Sequence, residues 1–217
     1  MGTLSFPSPS LNDIRQALKQ PLPGMAAQIK MAPEAVDGQP DRWKKVAVYR
    51  DAGVLLLLYP HQANFRSELH LALTRRTEYP GVHSGQISLP GGRREEGETL
   101  QTTALRETWE EVGVLPDTLH VVGQLSPLYT PPSNFCIHPF VAFSVDRPAF
   151  QLEPKEVAEL IEIPLSLLLD PATRQQEIWH FPKYGDRHVP FFAVFGHKIW
   201  GATAMILSEF LVLLRNK

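Results

Sequence analysis

Between Gly92 and Val114 the chain reads GRREEGETLQTTALRETWEEVGV, and the placing of its glutamates limits what can be built around it. Thr99 is a good N-cap and Gly113 stands where a helix would stop, so the spacing predicts a helix over 100–112. Residues three and four apart share a helix face, which would gather the carboxylates of Glu107, Glu110 and Glu111 on one side. Arg106 is the only cation among the acids of that helix, so ion pairing cannot neutralise them. Such a cluster repels itself unless cations sit in it. Mg²⁺ and Mn²⁺ meet that requirement: they prefer carboxylate oxygens, keep several waters and complete their shells with substrate phosphates. Just upstream, Gly91 and Gly92 let the backbone approach an ion or a phosphate, and a helix N-terminus favours anions. The stretch points to phosphate chemistry.

The rest of the chain sets bounds. Its 217 residues suffice for one full core with extra elements around it, or for two small domains, the single core being favoured. A net charge of -2 gives no general attraction to nucleic acid or to an anionic membrane, so substrate binding has to come from placed residues. Cys136 is the only cysteine, which rules out an internal disulfide and suits a reducing, cytoplasmic setting. No base adjoins it in sequence, and it reads as a small buried hydrophobe. The N-terminus lacks a charged segment followed by an apolar run, and Leu55–Leu58 and Phe210–Leu214 are too short to span a bilayer.

Residues 1–45 carry six prolines and one helical segment, Leu11–Lys19, with Ser10 as its cap. Their apolar residues suit docking on the core, or on a second copy in a homodimer, and are too few for an independent domain. From 46 to 217 the pattern is that of one α/β domain. Strands are predicted at Val46–Tyr49, Gly53–Tyr59 and Glu68–Thr74, the last alternating as a half-buried strand does, with His61–Ser67 closing a hairpin. Gln86–Leu89, Leu119–Leu125 and Phe135–Val145 follow, with Tyr129–Asn134 a turn-rich loop. Glu153–Leu169 mixes a short acidic strand with a helical segment, and Gln176–Phe181 and Pro190–Phe195 read as further strands. Thr203–Leu214 is an amphipathic helix with Thr203 as cap. Strands interleaved with helices in this way suggest a mixed sheet between helical layers.

On these residues the chain resembles the Nudix hydrolases, whose signature is G-x5-E-x7-R-E-U-x-E-E-x-G-U with U a bulky aliphatic. Gly92, Glu98, Arg106, Glu107, Glu110, Glu111, Gly113 and Val114 fall in place, and Thr108 stands where the first aliphatic residue is usual. The resemblance implies an α/β/α sandwich and hydrolysis of a P–O–P bridge in a nucleoside diphosphate derivative. It further implies Glu107 and Glu111 as metal ligands, Glu110 as a further ligand or the proton acceptor, and the Gly92 carbonyl in the inner shell. Arg106 and Glu98 would pair and orient the glutamates. Which glutamate is the base stays open. Glu156 and Glu159 are outside candidates.

Leu71–Gly92, reading LALTRRTEYPGVHSGQISLPGG, looks like the motif of the coenzyme A pyrophosphatase branch, approximately L-L-T-x-R-S/A-x3-R-x3-G-x3-F-P-G-G. Leu73, Thr74, Arg76, Gly85, Pro90, Gly91 and Gly92 agree, and His83 and Gln86 match residues common there. Ala72, Thr77, Gly81 and Leu89 depart. Gly81 replaces an arginine that could meet the 3′-phosphate of coenzyme A, so Arg75, Arg93 or Arg94 would have to substitute. The substrate contacts implied are Arg76, Arg75, His83, Gln86 and Arg93. Trp200–Ala204 also looks like a segment of these enzymes. The products would be phosphopantetheine, or its acylated form, and adenosine 3′,5′-bisphosphate. Two alternatives stand beside this: the same reaction on a nucleoside triphosphate, dinucleotide or ADP-ribose, and a silent ligand sensor. His83, His138 and the other histidines share no metal-ligand spacing and read as structural.

Overall fold

The computed structural model describes residues 8–36, 48–61, 68–78 and 85–215. In chain order the described elements are α1 (Leu11–Ala17), α2 (Met25–Gln28), β1 (Glu34–Ala35), β2 (Arg50–Pro60), β3 (Leu69–Arg76), β4 (Ile87–Ser88), β5 (Gly91–Arg93) and α3 (Leu100–Val112). They continue with β6 (His120–Gln124), β7 (Leu128–Thr130), β8 (Phe135–Phe143), β9 (Val157–Pro164), α4 (Leu165–Leu169), β10 (Arg174–Phe181), β11 (Gly185–Val194), β12 (His197–Trp200) and α5 (Gly201–Arg215).

The run Leu55–Tyr59 is apolar at every position, and a strand of that kind has to be covered on both faces. In β2, Leu56 and Leu58 enter one core cluster while Leu55, Leu57 and Tyr59 enter a second on the opposite face. The sheet that carries it has the path β4-β3-β2-β8-β6, with β5 on β2, β7 on β8 and β9 on β3. β2 and β8 run parallel, from Arg50↔Phe135 to Leu58↔Phe143, and the other described pairs are antiparallel. A parallel neighbour needs a long crossover, and α3 lies within it. α3 covers one face of this mixed sheet; α5 and a second sheet of β1, β10, β11 and β12 cover the other. The architecture is an α/β/α sandwich.

Residues 8–36 pack on the chain's own core. Ser10 and Asp13 form a capping box at the start of α1, and Ile14, Ala17 and Met31 join the cluster around α5. Glu209, fully buried in α5, accepts hydrogen bonds from Gly24 N (3.1 Å), Gln28 Nε2 (2.9 Å) and Ser126 N (3.2 Å). Ser208 donates to the Ala27 carbonyl at 2.7 Å. The 45/46 boundary lies outside the described residues.

Several elements differ from the expectations. β2 starts at Arg50, Val48 and Tyr49 precede it, and 46–47 lie outside the described residues. Leu69–Thr74 are buried at every position rather than alternately, because β3 is covered by both layers. Leu128–Thr130 forms an edge hairpin with β8 in place of a loop, and the two prolines fall in its turn. α5 begins two residues before Thr203, whose hydroxyl instead donates to the Ile87 carbonyl at 3.0 Å. No described helix is long and apolar enough to cross a membrane.

Candidate active site

The site forms where β5 brings the glycines under α3. Gly91 has φ 149°, and a Cβ there would lie 2.4 Å from the Gly53 carbonyl oxygen. A Cβ at Gly92 would lie 2.4 Å from the carboxyl carbon of Glu107, so only glycine lets the two approach. Gly53 likewise brings α3 backbone onto β2 backbone, its Cβ position being 2.4 Å from the Leu100 carbonyl oxygen. α3 starts with Thr99 capping Thr102 N at 3.1 Å and ends at Gly113 in the left-handed conformation, φ 74°.

The three glutamates separate by environment. Glu111 is 2% exposed, and its carboxylate accepts from Gly91 N at 3.3 Å and lies 3.6 Å from Arg76 Nη1. Burial nevertheless dominates and pushes its carboxyl up to about 8, against Arg76 and the Gly91 N–H. Glu107, against Gly92, is also raised by burial, with the charges of Glu110 and Glu156 adding to it and Arg106 opposing. Glu110 turns outward, 48% exposed, and accepts from Arg106 Nη1 at 2.8 Å. The single shared face expected from helix spacing is thus two inward carboxylates and one outward.

Arg106 joins the parts. It donates to Glu98 at 2.7 and 3.2 Å, to Glu107 at 2.9 Å, to Glu110 at 2.8 Å and to the Arg93 carbonyl at 3.2 Å. Glu98 also accepts from Thr103 Oγ1 and Glu95 N, and Arg106 foremost holds its carboxyl down to about 2. The loop over 93–98 is therefore tied to the helix through the Arg106 guanidinium and the Thr103 hydroxyl.

Arg76 leaves β3 on the same face. Its Nε is buried without a hydrogen-bond partner, which suits it to an incoming anion. Its neighbour Arg75 projects to the other face, where Nε donates to Glu159 at 2.8 Å and His197 lies 3.3 Å from the same carboxylate. Arg75 and Glu159 are thus held apart from the glutamate cluster. Glu156 belongs to it, since its charge raises both Glu107 and Glu111. That loop is fixed at both ends, Glu153 N donating to the Glu111 carbonyl and Thr77 N to the Glu156 carbonyl, each at 3.0 Å. The Gln86 carbonyl accepts from Arg76 N at 3.0 Å, Arg93 is exposed, and His83 lies outside the described residues.

The buried Glu111 carboxyl and the partly buried Glu107 carboxyl, both lifted above their ordinary range with Glu156 adding to each, form a donor set that a hard divalent ion fits: it would replace their protons and offset their repulsion.

The family profile described as "NUDIX domain" matches residues 50–182. The chain belongs to the Nudix family. A relative from Schizosaccharomyces pombe, "Probable nudix hydrolase C6G9.05", is 35% identical over 163 residues, 75% of this Nudix chain and 55% of that protein. The chain therefore spans about half the length of that relative. "Uncharacterized Nudix hydrolase NudL" of Yersinia enterocolitica is 36% identical over 147 residues, 66% of this chain and 73% of its own length. Among solved structures, the MutT protein of Methanosarcina mazei Go1 is 19% identical with a TM-score of 0.48, covering 78% of this chain and 96% of that one. Nudix hydrolases use divalent metal ions, which agrees with the donor set around Gly92.

One grouping escaped the sequence reading. Asp51, Cys136 and His138 each offer a ligand atom, and these atoms lie within 4.8 Å of one another. Cys136 does have a base beside it, and His138 does share a cluster with other metal-ligating types. Asp51 lies 85 residues from Cys136, and only the parallel pairing of β2 with β8 brings them together.

Proposed function

We propose that this chain hydrolyses the diphosphate linkage of coenzyme A or its thioesters, releasing phosphopantetheine, or its acylated form, and adenosine 3′,5′-bisphosphate, with Mg²⁺ or Mn²⁺. The observation that carries the reading is Arg76: it occupies the branch-motif position, its Nε lacks a partner, and its guanidinium lies 3.6 Å from the buried Glu111 carboxylate. In this reading residues 46–217 are the catalytic unit, 1–45 are its docked extension, and the location is the cytoplasm.

Glu107, Glu111 and the Gly92 carbonyl would hold the metal, with Glu110 or Glu156 completing the carboxylate set. Bound there, the ion supplies Lewis-acid neutralisation of the diphosphate and lowers the pKa of water. Arg76 binds a phosphate oxygen and orients the bridge. Water adds to one phosphorus, the bridging P–O bond breaks, and the proton passes to a carboxylate of this group. Glu110 and Glu156 are the members open to solvent. Arg106 and Glu98 fix the helix relative to the 93–98 loop, and so position the donors. Gln86, Arg93 and His83 are the further substrate contacts in this reading.

A second reading is the same cleavage of ADP-ribose, a dinucleotide or a nucleoside triphosphate, favoured by Gly81 where the branch carries arginine. A silent sensor has no need of the complete glutamate set. Incubating the protein and Mg²⁺ with a panel of these compounds, and following nucleotide release, decides between the substrates. We expect adenosine 3′,5′-bisphosphate from coenzyme A as the fastest product; equal or faster turnover of ADP-ribose overturns the coenzyme A reading.

A further inference from the structure

The parallel pairing of β2 and β8 sets Asp51 beside Cys136 and Gly53 beside His138. Strand alternation places Asp51, Cys136 and His138 on the face that α3 covers. His138 Nε2 lies 3.2 Å from Asp51 Oδ1, and the three ligand atoms fall within 4.8 Å of one another. Cys136 is 4% exposed, while the Asp51 and His138 side chains are 23% and 17% exposed, so the sulfur forms a floor that the other two reach from the rim. Gly53, next to Asp51 on this face, is covered by Leu100 and Ala104. The cluster thus adjoins the N-terminal end of α3, whereas Glu107 and Glu111 occupy its C-terminal half.

We propose that Asp51, Cys136 and His138 bind a second kind of metal ion, a borderline-soft divalent cation of the Zn²⁺ class. Thiolate and imidazole select such an ion over Mg²⁺, whereas the all-oxygen glutamate site has the reverse preference. A tetrahedral zinc shell spaces its ligand atoms by roughly 3.4–3.7 Å, from bond lengths near 2.1–2.3 Å. The existing spread therefore closes with side-chain rotation alone. Three protein ligands leave a fourth position for water. On binding, the Cys136 thiol gives its proton to solvent and the sulfur joins as thiolate. Arg94, whose guanidinium lies 3.7 Å from Asp51 and is 47% exposed, swings out as the ion takes its place.

The test uses the full chain in saturating Mg²⁺, titrated with Co²⁺ as a spectroscopic probe and then with Zn²⁺. Cys136 is the only cysteine, so a sulfur-to-cobalt charge-transfer band can arise from nowhere else. We expect one equivalent of Co²⁺ to produce that band and Zn²⁺ to abolish it by displacement. Asp51→Asn, a near-isosteric change at a partly exposed side chain, is expected to weaken Co²⁺ binding by at least about 10-fold. Glu107→Gln is expected to leave the band and its affinity as they were, which separates this site from the hydrolytic one. No band in the wild type, or an Asp51→Asn affinity equal to the wild type, overturns the proposal.

Discussion

Glu111 is a carboxyl that folding makes harder to ionise. Its ordinary value is 4.5, and burial lifts it to about 8, so between those values the folded chain keeps a proton that the unfolded chain releases. Raising the pH across that window favours the unfolded state. With a chelator present, thermal stability is expected to fall from about pH 4.5 to about pH 8 and then level off; Glu111→Gln should flatten the slope in a melting series. Adding Mg²⁺ at pH 7 should expel protons, readable as a buffer-dependent heat in calorimetry. Arg106 is the other decisive residue, because among the described residues it alone pairs with Glu98, Glu107 and Glu110. Arg106→Ala is expected to weaken Mg²⁺ activation by about 10–100-fold, measured as the shift in the metal dependence of the hydrolysis rate. The pairing of Arg106 with Glu98 was legible only through the resemblance to the Nudix signature, which implies it. The outward turn of Glu110 was not: face-sharing on a helix says nothing of which neighbour is sheet and which is water.

Among the elements, β5 and α3 make contrasting demands on glycine. At Gly92 an added methyl would meet the far end of a glutamate side chain, which can move; at Gly53 it would meet the helix backbone, which cannot. Gly92→Ala should therefore cut turnover while leaving the melting temperature nearly unchanged, whereas Gly53→Ala should cost about 1–3 kcal/mol in denaturant unfolding as α3 is forced off the sheet. A melting temperature that fell more for Gly92→Ala would contradict this ordering. The limits of α3 could be read from Thr99 and Gly113, because capping is written in one or two adjacent residues. β12 was not legible at all. Its four residues pair only with β11 across the turn at Phe195–Gly196, both in the left-handed conformation, and their strand state depends on that partner. The Asp51–Cys136–His138 grouping was hidden for the same reason, being a product of register.

At the scale of the molecule, Glu209 links the beginning of the described chain to its last helix. Its carboxylate is buried against N–H donors from Gly24, Gln28 and Ser126. Glu209→Ala would leave those donors unsatisfied in the interior, at about 1–3 kcal/mol. For a chain of this length each kcal/mol corresponds to roughly 2–4 °C in melting temperature. Thermal unfolding should show that loss, together with faster proteolysis within 8–36. The apolar content of the N-terminal segment suited docking on the core or on a second copy; it could not name Glu209, some 180 residues away, as a group that receives it. α5 also walls off the β2–β3 face that α3 does not reach. During synthesis that face stays bare until residue 215 has cleared the ribosome, so the nascent chain carries an uncovered apolar surface, open to chaperone binding or aggregation, until α5 docks.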